Sequence, residues 1–498
     1  RLYAYTYVAD NANAPLLNVK QADLAWKQGW KRPLESYVYR QKEQPKEETI
    51  KLPLCLKQTP IFTNASIENR KKWPELGIEE IQLTNGIKLL VRPTLDEDST
   101  IYLAAVGRGG MADLSSQMQL KVHDAVSYVD MGGLAKVSCD TLLTVMTQQQ
   151  LSMTVGEDAY WHQLLASAPA KSATALFNLA YEKLCFPGVN REDFAETVAS
   201  ELENVGKETL LDRLLAHDSD RLMTNTIDSL VGNVAAGTER LVTKATLQAL
   251  NIDTLTNYYK RLFANPSGLT IILTGNFNAA HVVPKAIATF AQMQVPQSPL
   301  PLNNSPFAAK KQTFFKGFEG GNDHQTVANY VFAGNYTPSL QATLSMKLIR
   351  DVLQDRVLKV LREGENIVYS PYVDLYYNGV PQQKYHFVIN LSLKDENRQR
   401  AEILLQSILK DLKEKPVSTA ELDKLKRSFL VTKDKVLTDK APSEWKTALM
   451  SLVKNGESLH DFNDYATCLN DITPAMVQKM ISEMLDWNHR MVVFKSQK

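Results

Sequence analysis

Two stretches of this chain, about 220 residues apart, read as copies of one another. Leu250-Asn251-Ile252-Asp253-Thr254 leads into a helical segment and then into the apolar strand Leu269–Leu273. Leu469-Asn470-Asp471-Ile472-Thr473 leads into another helix and then into the strand Met491-Val492-Val493-Phe494. A period this long exceeds any solenoid unit and implies duplicated domains, each with its own core. The length agrees, because 498 residues are more than one hydrophobic core accommodates.

Both copies mix strands with helices. Ile81 and Leu83, then Asn85-Gly86, then Ile87, Leu89 and Val91 spell a hairpin with alternating faces around a turn dipeptide. Ile101 to Val106 reads as a third strand, ending at Gly107-Arg108-Gly109-Gly110. Helices are expected around 117–128, 172–184, 191–205 and 253–263. In the second copy Tyr385, Phe387, Ile389, Leu391 and Leu393 share one strand face, with His386, Val388, Asn390 and Ser392 on the other. Ser418 with Glu421, and Thr473 with Pro474, mark two helix starts. The alternation lacks the βαβ rhythm of a parallel sheet, so the expected class is α+β.

The expected layout is a tail or connector over 1–75, a first domain over 76–294, a linker over 295–312 and a second domain over 313–498. Within the tail, the run Gln41-Lys42-Glu43-Gln44-Pro45-Lys46-Glu47-Glu48 reads as a solvated linker, and Trp26 and Trp30 are spaced to pack on one helix face. The stretch from Gln294 to Gln312 is rich in Pro, Ser and Asn.

Charge excludes some functions. Lys plus Arg (56) nearly cancel Asp plus Glu (55), so the whole chain makes no electrostatic case for nucleic acid or an anionic membrane. No run of about 18 apolar residues is present, so no membrane span is expected. The first residues, Arg1-Leu2-Tyr3-Ala4, show neither an initiator methionine nor a signal pattern, as in a piece of a longer precursor. Cys55, Cys139, Cys185 and Cys468 are scattered and form neither a disulfide framework nor a CxxC metal site.

The chemistry-bearing segment is Leu361-Arg362-Glu363-Gly364-Glu365-Asn366-Ile367-Val368-Tyr369-Ser370-Pro371. Leu344, Leu348, Val352, Leu353, Val357, Val360 and Leu361 before it repeat at helical steps, Gly364 can end that helix, and Ile367-Val368-Tyr369 suits a strand. The turn between them brings Arg362 and Tyr369 together near a sheet edge. A guanidinium beside a phenol offers several donors to a carbonyl or a developing oxyanion. By itself the pair also describes a surface arginine and a half-buried strand tyrosine.

This segment resembles the Leu-Arg-Glu…Tyr-Ser motif near the C-terminal end of the pitrilysin/insulinase metallopeptidases, the inverted zincins, and the resemblance extends from about Leu76 to Phe494. It implies two homologous domains, each a mostly antiparallel sheet with helices packed on one face, together forming half of a clamshell. In that family one half carries zinc on a His-x-x-Glu-His helix, with a glutamate ligand further along. The other half closes over the substrate with its Arg–Tyr pair. Here Gly109-Gly110 is followed, at the matching helix position, by His123-Asp124-Ala125-Val126-Ser127. Val126 stands where the base belongs and cannot accept a proton; Ser127 stands where the second ligand belongs, and a hydroxyl binds zinc poorly at neutral pH. Glu196, Glu201 and Glu203 fall where the later ligand would, and read as helix-surface charges.

Other chemistries fare no better. Gly317-Phe318-Glu319-Gly320-Gly321 lacks the Lys-Ser/Thr of a P-loop and reads as a turn, and no Gly-x-Ser-x-Gly elbow occurs. The resemblance therefore implies a non-zinc half, inactive by itself, in which Arg362 and Tyr369 are the catalytic and substrate-binding residues. His123, Val126 and Ser127 are then degenerate metal-site positions. No metal or cofactor is expected in this chain. Zinc is expected in a partner half, either the N-terminal part of the same precursor or a separate subunit. Extended peptides would be the substrates, and an exported, periplasm-like location fits. The alternative is a non-catalytic scaffold or peptide-binding subunit of a larger assembly.

Overall fold

The hairpin around Asn85-Gly86 opens a seven-stranded sheet, with Gly86 at φ 93° in its turn. The computed structural model describes residues 51–58, 60–95, 98–204, 217–233, 243–295, 313–319 and 325–496, with isolated positions 20, 23, 24, 27, 28, 302 and 308. Residues 1–49 and 50–498 are separate units. In the first, the described positions 20, 23, 24, 27 and 28 are helical, and Lys27 Nζ lies 2.6 Å from Asp23 Oδ2.

Strands β1 (Ile67–Trp73), β2 (Ile78–Leu83), β3 (Lys88–Pro93), β4 (Thr100–Arg108), β5 (Ser152–Glu157), β6 (Trp161–Pro169) and β7 (Thr270–Gly275) pair in the order β1-β2-β3-β7-β4-β6-β5. Only β3 and β7 run parallel. A second sheet pairs β8 (Phe314–Glu319), β9 (Gln325–Asn335), β10 (Tyr372–Asn378), β11 (Lys384–Lys394) and β12 (Met491–Ser496) in the order β10-β11-β9-β12-β8. There only β8 and β12 run parallel. Read outward from the parallel pair, β3-β7-β4-β6-β5 and β8-β12-β9-β11-β10 match in order and in sense at every step. The architecture is α+β, with two homologous, mostly antiparallel sheets.

One face of each sheet carries helices of its own domain. In the first, Ile252–Phe263 buries Ile252, Leu255, Tyr259, Leu262 and Phe263 as a stripe, and Asn251 caps its start by accepting from the Asp253 and Thr254 N–H groups. In the second, Leu340–Val357 buries Leu344, Leu348, Val352 and Val357.

Each domain's own helices pack on one face of its sheet, as expected, and the other faces are not left open. Each is covered by a helix from the opposite domain. Pro442–Asn455 lays Trp445, Leu449 and Leu452 against Leu90, Ala104, Val106 and Ile272 of the first sheet. Thr274 Oγ1 donates to Pro442 O at 2.7 Å, and Arg92 stacks 4.0 Å over the Trp445 ring while reaching Asp439 at 2.7 Å. In return, His217–Leu230 of the first domain brings Met223 and Leu230, followed by Val231, against Val331, Val388, Met491 and Val493 of the second sheet.

Four local expectations need correction. The folded part begins before residue 76: β1 adds an edge strand, and Leu56 is fully buried in the first core. Its run Glu68-Asn69-Arg70-Lys71-Lys72 is exposed on both faces, so no apolar alternation announced it. The helix expected over 117–128 is broken in two, as described below. Gly317 to Glu319 belong to β8 rather than to a turn. The strand expected at 367–369 shrinks to one bridge, Val368 to Leu393, because Pro371 interrupts the run and β10 starts after it. Trp26, Trp30, the charged run 41–48 and most of 295–312 lie outside the described residues.

Candidate functional site

Where the family's zinc helix would lie, the helix Ser116–Val122 stops and Ala125–Asp130 begins anew. His123 is extended (ψ 141°) and Asp124 is left-handed (φ 55°). In an unbroken helix, positions 123 and 127 would share a face. The break separates them: His123 is only 1% exposed, Val126 joins the core, and Ser127 faces solvent. His123 Nδ1 lies 3.3 Å from Asp124 Oδ2, and its enclosed Nε2 has no partner among the described residues. Glu201 is not a plain surface charge, since it accepts from the Tyr128 hydroxyl at 2.6 Å. These donors do not fit zinc, and no group of three or more His, Cys, Asp or Glu among the described residues could hold a metal.

The Arg362–Tyr369 segment is built differently. The helix Leu340–Val357 continues as a π-turn, Leu358–Gly364, that carries Arg362 on its exposed side. Glu365 N–H donates to Val360 O and Ile367 N–H to Leu361 O, both at 3.0 Å, and Asn366 turns the chain at φ 53°. Tyr369 N–H then donates to Ser392 O at 2.8 Å, at the end of β11. Arg362 and Tyr369 thus flank one tight reversal. Tyr369 is 47% exposed and lies outside the strands, and among the described residues neither side chain has a hydrogen bond or ion pair.

Ser392 also borders a cavity of about 920 Å³ between the two sheets' domains. Its floor is the face of β11 that the sequence marks as polar: His386, Asn390 and Ser392, with Lys384 at the far end. Asp374 and Tyr376 of β10 continue that floor, and the β5–β6 turn and both exchanged helices wall it. His386 stacks on Tyr376 at 4.7 Å, and burial holds its pKa down at about 3, so the ring is neutral.

Lys384 was not singled out by sequence reasoning. A lysine starting an otherwise apolar strand is the one signal that pointed to it. It is 2% exposed, and its Nζ donates to Tyr160 Oη at 2.7 Å, Val231 O at 2.6 Å and Asn233 Oδ1 at 2.8 Å. The Tyr160 hydroxyl in turn faces Gly232 O at 2.6 Å and Gln382 Oε1 at 2.8 Å. Burial pushes the Lys384 pKa down to about 7, with Asp228 pulling the other way. Three acceptors match the three donors of the ammonium form. The cluster ties the β10–β11 turn of one domain to the β5–β6 turn and the helix end of the other.

On β5, Glu157 accepts from the Tyr258 hydroxyl at 2.6 Å. Burial raises its pKa to about 7, assisted by the Asp124 and Asp158 charges. Between the ordinary value of 4.5 and about 7 the folded chain keeps this proton while the unfolded chain loses it, so stability falls as pH rises through that window. Glu157→Gln keeps an acceptor for Tyr258 and is expected to raise the melting temperature at pH 8 while leaving it unchanged at pH 4. An equal shift at both pH values would contradict the assignment.

Residues 249–429, which include Arg362 and Tyr369, match the family model described as the peptidase M16 inactive domain. No curated protein matches the sequence. Among solved structures, the periplasmic protease PqqL of Escherichia coli is 14% identical with a TM-score of 0.76, over 97% of this chain and 51% of that one. A peptidase M16 inactive domain from Pseudomonas fluorescens is 14% identical with a TM-score of 0.68, over 85% of this chain and 99% of that one. Pitrilysin is 14% identical with a TM-score of 0.61, over 89% of this chain and 46% of that one. The chain spans about half the length of PqqL and pitrilysin. The matched strand orders and the likeness to these proteases give this chain the fold of a pitrilysin-type half, and within it residues 249–429 are similar to the peptidase M16 inactive domain.

Proposed function

We propose that this chain is the non-zinc half of a zinc metallopeptidase that encloses extended peptides. Arg362 and Tyr369 hold the substrate backbone or the oxyanion of the tetrahedral intermediate. One observation carries the reading: both side chains are exposed and, among the described residues, unengaged, next to the strand end that borders the 920 Å³ cavity. A guanidinium kept for structure ordinarily has an acceptor of its own. Zinc belongs to the partner half, because His123, Val126 and Ser127 offer no ligand set here. That half is either the preceding part of the same polypeptide or a separate subunit. Likeness to a protease described as periplasmic supports an exported location, and no helix among the described residues is long and apolar enough to cross a membrane.

The test is cleavage of an internally quenched peptide after mixing with a half that carries His-x-x-Glu-His. Arg362→Ala and Tyr369→Phe are each expected to lower kcat/KM by about tenfold, less than a fully enclosed oxyanion donor because both face water. Retention of full turnover in both variants would leave the scaffold reading, which the degenerate 123–127 segment favours.

A further inference from the structure

We propose that β10 receives an extended peptide as an added strand, with a lysine or arginine side chain of that peptide seated between Tyr372 and Tyr376 beside Asp374. The inference rests on the peptide-enclosing reading above and names where on this half the peptide is held.

The backbone comes first. β10 is an edge strand, paired to β11 on one side only. Val373 N–H donates to Gln354 Oε1 at 2.8 Å, so it points away from β11, and strand alternation turns Leu375 outward as well. Gln354 Nε2 also donates to Pro371 O at 3.2 Å. One side-chain amide therefore does for the first outward rung what the backbone of a neighbouring strand would do. The next outward rung falls at Leu375, where an added strand would supply the same groups.

The side chains then select the occupant. Tyr372, Asp374 and Tyr376 are successive residues on one face of β10, and all three line the cavity. The two rings are 47% and 52% exposed. Asp374 lies close enough to both that, after burial, its charge raises both phenol pKa values.

The other charges facing the cavity are committed. Asp158 pairs with Lys454 at 2.9 Å, Asp220 with Lys495 at 2.5 Å, and Asp228 holds the Asn233 amide beside Lys384. Asp374 has no ion-pair partner among the described residues; its carboxylate shares a hydrogen bond with the Tyr376 hydroxyl, a neutral partner that leaves its charge uncompensated. A carboxylate flanked by two exposed aromatic rings is complementary to a cation and repels an anion. A cavity of about 920 Å³ lies in the usual range for ligand sites and has room for the side chain. Tyr369 precedes β10 on the same edge, so a peptide held there continues toward the Arg362–Tyr369 reversal.

The test is fluorescence anisotropy with the full 498-residue chain and labelled, unstructured ten-residue peptides that differ only at a central Lys or Glu. The Lys peptide is expected to bind at least tenfold more tightly than the Glu peptide, and Asp374→Asn is expected to bring the two within about twofold. Tyr372→Ala with Tyr376→Ala should weaken the Lys peptide alone. N-methylation of the peptide should abolish binding at alternate positions only. Equal affinity for both peptides, or an unchanged preference in Asp374→Asn, overturns the cation site while peptide enclosure stands. Equal damage from N-methylation at every position overturns strand addition. No binding of any peptide overturns both this inference and the enclosing function.

Discussion

Lys384→Met is expected to lower the unfolding free energy by about 3 kcal/mol, read as a shift in the urea midpoint at constant m-value. Methionine keeps most of the apolar stem and loses the amine. Tyr160 Oη, Val231 O and Asn233 Oδ1, which receive that amine at 2.6–2.8 Å, would remain enclosed with fewer donors. Each stranded acceptor costs about 1–3 kcal/mol, and burying the ammonium in the native chain offsets part of the sum. Tyr160→Phe should cost about 1 kcal/mol, and the double variant less than the two singly, because they share one hydrogen bond. A Lys384→Met chain as stable as the natural one would mean that the cluster fills space and does not hold the domains together.

Trp445→Ala should be at least as damaging, by about 3–5 kcal/mol. The indole is 5% exposed, stacks on Phe462 at 5.8 Å, lies under Arg92 at 4.0 Å and donates to Thr438 O at 3.0 Å. It is also the broadest side chain by which Pro442–Asn455 grips the first sheet. Its loss opens a cavity between the domains and leaves Arg92 without its ring. Leu143→Ala, at a position 56% exposed, is the control and should stay within about 0.5 kcal/mol. Should both variants melt alike, Trp445 would not be part of a shared core.

What could be read in advance was whatever depends on local periodicity. The hairpin through Asn85-Gly86, the alternation from Tyr385 to Leu393, the cap at Ser418 and the duplicated Leu-Asn segments all became the elements they predicted. The Arg362–Tyr369 segment was legible by resemblance, but its π-turn was not, since a helix and a π-turn place the same apolar residues inward. The break at His123-Asp124 was equally hidden, because nothing between 117 and 128 is a proline or glycine. Lys384 and the exchanged helices depend on contacts across more than a hundred residues, which no window of sequence contains.

The exchange of helices has a consequence for dependence on concentration. A single copy of this domain would leave one sheet face uncovered, and the simplest cover for it is the matching helix of a second copy. Two separate copies would then associate only above a threshold set by their dissociation constant. With both copies on one chain the pairing is intramolecular, at an effective concentration fixed by the connection between them. The closed faces, and the cavity they frame, therefore persist at any dilution.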